Sequence, residues 1–227
     1  MCAIRHANGQ DYWVLINQDT LGIGIYSVTP AGVAFSSLLS GTSSFGSYLK
    51  ASPDGSKVMS ALGLFDFNTS TGTLSNLQTL PPASNYEFSH NSWYLYVSSQ
   101  DSIYRYDLLA PSLLASQQVV GTTNTTVGWM QIAPDGKIYF LTSSGNQVFL
   151  NSIDCPNTLS PSIQQNLFTY NDNFSTLPNF PAWIFQNSLD NYVDLGPDTM
   201  FLCPGDTIVL DAQNPGRSEE HTSELQS

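Results

Sequence analysis

The chain has 227 residues, of which 41% are hydrophobic and only 11% are charged. Six basic and 18 acidic residues give a formal net charge of −12, which argues against nucleic acid and anionic lipid as partners. No apolar run approaches the 18 residues of a membrane-spanning helix, and a surface of Ser, Thr, Asn and Gln rather than charge is typical of an all-β secreted protein.

Four segments of the chain share one layout, a polar turn followed by a run of β-branched and aromatic residues. They begin at His6, Ser52, Ser89 and Ala133, so that successive segments start 46, 37 and 44 residues apart. A repeating unit of about 40–45 residues is the mark of a four-stranded propeller blade. The sequence therefore predicts an all-β fold, a partial β-propeller of about four blades, over residues 1–190.

The turns at the start of these units explain the repeat physically. "SPDG" at 52–55 fits a type I turn, in which Ser caps the first position, Pro sets φ at the second and Gly ends the turn. "APDG" at 133–136 repeats the turn without the capping hydroxyl, and "SHNS" at 89–92 is a degenerate third copy. The degenerate copy is expected to be a weaker turn.

The strands that follow these turns are predicted as hairpins. In the third unit, strands over 93–99 and 103–107 flank a turn at 100–102, and in the fourth, strands over 137–141 and 147–150 flank a turn at 143–146. The second unit, "KVMSALGLFDF", shows no clear turn. The segment "SPSIQQNLFTY" at 160–170 predicts a short helical turn at most.

An ordered series of motifs resembles one protein family. "IRHANGQDYWVLI", "YLKASPDGSKVMSA", "LFDFNTSTGTLSN", "YLYVSSQDSIYRYDL", "MQIAPDGKIYF" and "LPNFPAWIFQ" are similar to the WD40-like propeller regions of large bacterial surface proteins exported by the type IX secretion route. The resemblance covers roughly residues 3–187. It implies that about three further blades precede the chain. The sequence does not begin with a signal peptide, and the resemblance implies that Met1 is an internal methionine or an arbitrary start.

Two segments near the C-terminus are predicted to lie outside the propeller. Residues 191–216, with "DTIVLDA", resemble the first strands of an Ig-like or PKD-type module. Residues 217–227, "RSEEHTSELQS", resemble a translated sequencing adapter. They contain three glutamates, whereas the first 216 residues contain only Glu87. The alternative for the tail is a natural acidic linker.

No local motif for chemistry is present. The sequence lacks a Gly-x-Ser-x-Gly elbow, a His-Glu-x-x-His zinc motif and a P-loop, so it predicts no catalytic, cofactor-binding or metal residues and no enzymatic activity. Asp54 and Asp135 are interpreted as turn formers, and "NDN" at 171–173 as a polar loop rather than a calcium site. The pairing of the three cysteines, Cys2, Cys155 and Cys203, stays open.

The four tryptophans allow two interpretations. Side chains that pack between blades are favoured over a carbohydrate platform. The residues concerned are Trp13, Trp93, Trp129 and Trp183.

The leading functional hypothesis is a non-catalytic propeller scaffold of a secreted or outer-surface bacterial protein. It would serve adhesion, matrix interaction or gliding motility by binding a protein or polysaccharide. The alternative is a glycan-binding or hydrolytic propeller that uses the central channel. Carboxylates or aromatic rings gathered at the channel mouth would favour that alternative. A third possibility is that the chain does not fold alone, because a partial ring exposes strand edges.

Overall fold

The structure, a computed structural model, describes residues 1–18, 21–40, 48–171 and 176–188, all within one compact unit, Met1–Asp190. These residues form four four-stranded antiparallel sheets, each with its strands in sequential order. The sheets are the blades of a β-propeller, which confirms the predicted fold class. The Ig-like strands predicted for 191–216 and the tail 217–227 lie outside the described residues.

Each blade runs from an innermost strand to an outermost strand. Blade 1 contains β1 (Cys2–Arg5), β2 (Tyr12–Gln18), β3 (Gly22–Thr29) and β4 (Gly32–Ser40). Blade 2 contains β5 (Lys50–Ala51), β6 (Lys57–Ser60), β7 (Gly63–Asn68) and β8 (Thr73–Gln78). Blade 3 contains β9 (Asn85–Phe88), β10 (Tyr94–Ser99), β11 (Ser102–Asp107) and β12 (Gln118–Thr122). Blade 4 contains β13 (Val127–Ile132), β14 (Ile138–Ser144), β15 (Gln147–Asp154) and β16 (Ser162–Asn171).

Helical structure in the described residues is limited to two 3₁₀ segments, Leu114–Ser116 and Ala182–Ser188. No helix of the described part of the chain is long and apolar enough to cross a membrane.

The core consists of three apolar layers, one between each pair of successive blades. Side chains alternate between the two faces of a strand. Blades 2 and 3 therefore each contribute one face to the preceding layer and the other face to the next. Leu15, Leu95 and Phe140 are fully buried in the three layers. Burial of such a side chain contributes about 1.5–3 kcal/mol relative to its exposure.

The four turns that open the hairpins have one geometry. In each, the fourth residue donates its N–H to the carbonyl of the first, at 2.9–3.0 Å, and has a positive φ between 62° and 77°. Glycine takes this position in three turns and Ser92 in the other. The degenerate "SHNS" turn therefore keeps the geometry, although an L-residue in the left-handed region costs about 1–2 kcal/mol.

Two sequence-based predictions about local structure are wrong. The segment 160–170 is not a helical turn, because Ser162–Asn171 forms β16, which pairs with β15 along its length. Pairing with the edge of β15 favours a strand there, and so do the aromatic and β-branched residues of the run Leu167-Phe168-Thr169-Tyr170. The second unit does contain a turn, at Ala61-Leu62 between β6 and β7, where Gly63 has a φ of 136°.

The two described cysteines are in different chemical states. Cys2 is a buried free thiol, and burial raises its pKa to about 12. The thiol is therefore protonated and a poor nucleophile at neutral pH. Cys155 is disulfide-bonded, and Cys203 lies outside the described residues.

Gly72→Ala is expected to destabilise the chain more than Gly9→Ala. Both glycines have a φ near 70°, but a Cβ at position 72 would lie 2.6 Å from the Trp13 ring, whereas nothing lies within 4 Å of a Cβ at position 9. Gly9→Ala carries only the backbone cost, about 1–2 kcal/mol, and Gly72→Ala adds an overpacking cost of about 1–3 kcal/mol. Urea unfolding of both variants measures the difference, and equal midpoints would contradict it.

Candidate functional site

The innermost strands of the four blades place one side chain each at an equivalent position, two residues before the turn. These side chains are Ile4, Lys50, Glu87 and Gln131. The innermost strands pack side by side along the axis. The three polar members therefore meet at the centre of the propeller, although they come from different blades.

Lys50, Glu87 and Gln131 form one buried network, which we call the axial network. The Lys50 ammonium lies 2.5 Å from Glu87 Oε2 and donates to Gln131 Oε1 at 2.8 Å. The backbone N–H groups of Phe88 and Ile132 donate to the two Glu87 oxygens at 2.9 and 3.1 Å. Glu87 is 0% exposed, Lys50 3% and Gln131 5%.

The axial network joins the inner strands of blades 2, 3 and 4. A buried charge is tolerated only when it is paired and its remaining donors and acceptors are satisfied, and both Glu87 oxygens meet this condition. Gln131 completes the network, because its Nε2 donates to the carbonyl of Ile132 at 2.9 Å. Because both oxygens of the Glu87 carboxylate accept hydrogen bonds, the carboxylate links the innermost strands of blades 2, 3 and 4.

A second layer of the axis lies two residues further from the turns. It contains Tyr48, Asn85 and Trp129, at equivalent positions of β5, β9 and β13 or just before them. The Tyr48 ring stacks on Trp129 at 4.9 Å and on Tyr86 at 4.7 Å. Its hydroxyl donates to Asn85 Oδ1 at 3.1 Å and accepts the Tyr86 N–H at 2.8 Å. Burial raises the pKa of Tyr48, which keeps the hydroxyl a donor.

Residues 176–188, which we call the crossing segment, contact blade 1, blade 4 and the axial network. The Phe180 N–H donates to Gln131 Oε1 at 3.2 Å, and Asn179 Nδ2 donates to the Met1 carbonyl at 3.0 Å. Trp183 packs on the Tyr12 ring at 5.3 Å. The segment therefore contacts the axial network through Phe180, and it also reaches blade 3, where His90 Nε2 lies 2.9 Å from the Phe185 carbonyl.

One end of the propeller, the turn face, consists of the four opening turns and the turns between the third and fourth strands. Hydrogen bonds connect these turns between blades. The Ala7 N–H donates to Thr69 O at 3.1 Å, and the Asp54 N–H donates to Ser92 Oγ at 3.0 Å. The Asn91 N–H donates to Asn157 Oδ1 at 3.1 Å. Every pair of successive blades is therefore linked across this face.

The predicted turn formers act as such. Asp54 Oδ1 accepts the Ser56 N–H at 3.0 Å, and Asp135 Oδ1 accepts the Lys137 N–H at 3.1 Å. Asn8 and Asn91 hold the equivalent N–H groups of their turns. Among the described residues, no group of three or more His, Cys, Asp and Glu side chains could hold a metal ion. Of the "NDN" segment, residues 172 and 173 lie outside the described part.

The tryptophans divide between the two interpretations. Trp13 is buried in the layer between blades 1 and 2, as the packing interpretation predicts. Trp93 is 51% exposed on the turn face, so the prediction of packing is wrong for this residue. It follows the "SHNS" turn directly, and the sequence carries no signal that separates it from the buried tryptophans.

Comparison with known proteins supports the fold. No family model and no curated protein matches the chain. A candidate 6-phosphogluconolactonase from Bacteroides uniformis is 15% identical with a TM-score of 0.53, over 77% of this chain and 55% of that one. A candidate TolB from Agrobacterium tumefaciens is 15% identical with a TM-score of 0.51, over 80% and 70%. The periplasmic gluconolactonase of Pseudomonas aeruginosa is 17% identical with a TM-score of 0.50, over 72% and 56%.

These likenesses correct the prediction that the protein is not an enzyme. Two of the three similar structures are named as lactonases, so the absence of a local catalytic motif does not exclude activity on this fold. The reason is geometric, because equivalent axial side chains lie about 40 residues apart in sequence and leave no compact motif. The chain spans about half the length of these two structures, and at this identity the likeness establishes the fold alone.

We expect Glu87→Gln to destabilise the chain by about 3–5 kcal/mol, because it leaves the Lys50 ammonium buried without its counter-ion. The double variant Lys50→Met/Glu87→Gln should lose less than the single variant, since it removes that charge. The control is Asp154→Asn in the partly exposed Lys137 pair at 3.1 Å, where a loss below about 1 kcal/mol is expected. Chemical unfolding tests this, and a Glu87→Gln loss as small as that of the control would refute it.

Proposed function

We propose that the chain is a β-propeller binding module of a secreted or cell-surface bacterial protein, which holds a protein or polysaccharide partner in adhesion, matrix interaction or gliding motility. The observation that carries this proposal is the turn face, whose turns are hydrogen-bonded from each blade to the next. A rigid face with variable loops can recognise a partner at a low entropic cost.

Composition and cysteine chemistry favour an extracellular location. The surface relies on Ser, Thr and Asn rather than on charged residues. Cys155 is disulfide-bonded, and structural disulfides persist in oxidising compartments. Both features agree with the resemblance to bacterial surface propellers.

The labelled full chain is expected to bind saturably to cells of bacteria that use type IX secretion. Periodate treatment of the cells removes polysaccharide and protease treatment removes protein, so loss of binding after one of them identifies the class of partner. A heat-unfolded chain serves as the control for non-specific adsorption. Absence of saturable binding by the native chain would refute the proposal.

Matched double variants test the turn face. Gln10→Lys/Leu159→Lys changes two exposed turn residues, and Ser36→Lys/Leu38→Lys changes two exposed residues of the outer strand β4. Both add the same charge and remove one leucine, but only the first pair should weaken binding to cells.

A second candidate function is hydrolysis of a sugar lactone on the axis. The observation that favours it is an inward carboxylate, Glu87, beside an ammonium and next to the Tyr48–Trp129 stack. Glu87 would activate water as a general base, and Lys50 would stabilise the developing oxyanion. Because Glu87 is fully buried, the groups packed around the axis would have to move for a lactone to enter.

If the axis is hydrolytic, the full chain accelerates hydrolysis of glucono-δ-lactone above the rate in buffer. Acid release at constant pH measures this rate. Glu87→Gln should then abolish the acceleration, whereas Asp154→Asn, with a comparable loss of charge far from the axis, should retain it. A wild-type rate equal to that of buffer would exclude this candidate for glucono-δ-lactone.

A further inference from the structure

Trp93 is a half-exposed indole on a fixed backbone. The backbone N–H of Trp93 donates to Asn91 Oδ1 at 3.1 Å, and its backbone carbonyl accepts the Leu108 N–H at 2.8 Å. The residue before it, Ser92, is held by the Asp54 N–H of blade 2. The ring is therefore presented to solvent by a turn that is anchored on both sides.

Trp93 lies at the turn-face end of the space between blades 2 and 3, which we call the cleft. Tyr94 packs in the layer between blades 3 and 4, and Leu95 packs in the layer between blades 2 and 3. Trp93 shares the face of Leu95, because the Leu108 N–H that donates to its carbonyl extends the β10–β11 pairing by one residue, and Leu108 packs against the layer between blades 2 and 3. It therefore extends the layer between blades 2 and 3 towards the turn face.

A polar cluster of blade 2 lies on the opposite wall of this cleft. Met59 and Leu64 are register partners that pack in the layer between blades 2 and 3. The next register pair on the same face, towards the turns, is Lys57 and Asp66. Lys57 Nζ lies 2.5 Å from Asp66 Oδ1, and Asn76 Nδ2 donates to Asp66 Oδ2 at 3.0 Å.

The polar wall offers both donors and acceptors without net charge. The side chains of Lys57 and Asp66 are 25% and 37% exposed, so part of each remains open to solvent. Burial alone would raise the pKa of Asp66, but the hydrogen bonds from Lys57 and Asn76 hold that pKa below its usual value. The carboxylate is therefore ionised at neutral pH and accepts hydrogen bonds.

We propose that this cleft, with Trp93 on one wall and Lys57, Asp66 and Asn76 on the other, binds an uncharged polysaccharide. The inference rests on the proposed binding function and names its partner. A pyranose ring has an apolar C–H surface that packs on an indole and hydroxyls that exchange hydrogen bonds with a carboxylate, an ammonium and an amide.

Two alternatives fit the cleft less well. A polyanion would be repelled by the chain, which has a net charge of −12. A stable protein partner buries about 800 Å² on each side around a central apolar cluster, whereas one exposed indole beside an ion pair provides little apolar surface. A saccharide needs only a ring-sized contact and a few hydrogen bonds.

Affinity electrophoresis of the full chain tests the proposal with soluble β-1,3-glucan, hydroxyethyl cellulose, soluble starch and galactomannan, and with dextran sulfate as the anionic probe. At least one neutral polysaccharide should retard the chain, and dextran sulfate should not. Trp93→Ala should weaken that binding about tenfold or more, since a packed aromatic side chain supplies at least the 1.4 kcal/mol of a tenfold change. Trp93→Phe should retain most of it.

Two further variants separate the cleft from other exposed surface. Asp66→Asn keeps the shape of the polar wall and should weaken binding several-fold. Phe35→Ala removes an aromatic ring that is 59% exposed on β4 of blade 1, and it should bind as the wild type does. Circular dichroism of each variant verifies the fold.

The outcomes distinguish this inference from the proposed function. Retardation by no neutral polysaccharide, or equal retardation of wild type and Trp93→Ala, overturns the cleft as a saccharide site even if the chain binds to cells. Retardation by dextran sulfate alone overturns it in favour of a polyanion. A chain that binds neither cells nor any polysaccharide overturns both.

Discussion

The structure depends on one constraint, that a four-stranded blade must bury its apolar residues against a neighbouring blade. An isolated sheet of this size exposes an apolar face to water, so each blade is stable only against its neighbours. Three apolar layers between the four blades satisfy this requirement for the inner faces. The same packing brings the innermost strands together, and it is there that the polar residues of the axis meet.

The axial network shows what this convergence requires. Charged side chains at the centre cannot reach water, so Glu87 is compensated by Lys50 and by two backbone N–H groups. Replacing a buried ion pair by well-packed apolar residues is often neutral or stabilising, so the network is not evidence of added stability. We interpret it as specifying which inner strands lie together. It also leaves a carboxylate and an ammonium at the position where a propeller can carry chemistry.

The predictable part of the fold is local. The opening turns follow from four-residue patterns in which an Asx side chain accepts an N–H two residues ahead and a Gly accommodates a positive φ, and their spacing predicts the blades. The axial network is not predictable in this way. Its members are unlike in type and are joined over 37 and 81 residues of sequence, so only the assembled blades bring them together. The β16 strand is not predictable for a related reason, because its pairing with β15 overrides a weak local preference.

The axis provides rigidity, and the turn face provides access to solvent. Side chains at the axis are anchored, buried and fully engaged, and this fixes the blades relative to one another. The turn face inherits that rigidity through its hydrogen bonds between blades, yet some of its side chains, such as Trp93 and Leu159, remain open to solvent. Ser92 combines backbone strain with a contact between blades. A non-glycine residue at a φ of 62° is strained. Its hydroxyl accepts the Asp54 N–H, however, and thereby fixes the position of Trp93 beside blade 2. The departure from the repeat thus lies where the chain presents its most exposed indole, as expected if this turn is adapted to binding rather than to stability alone.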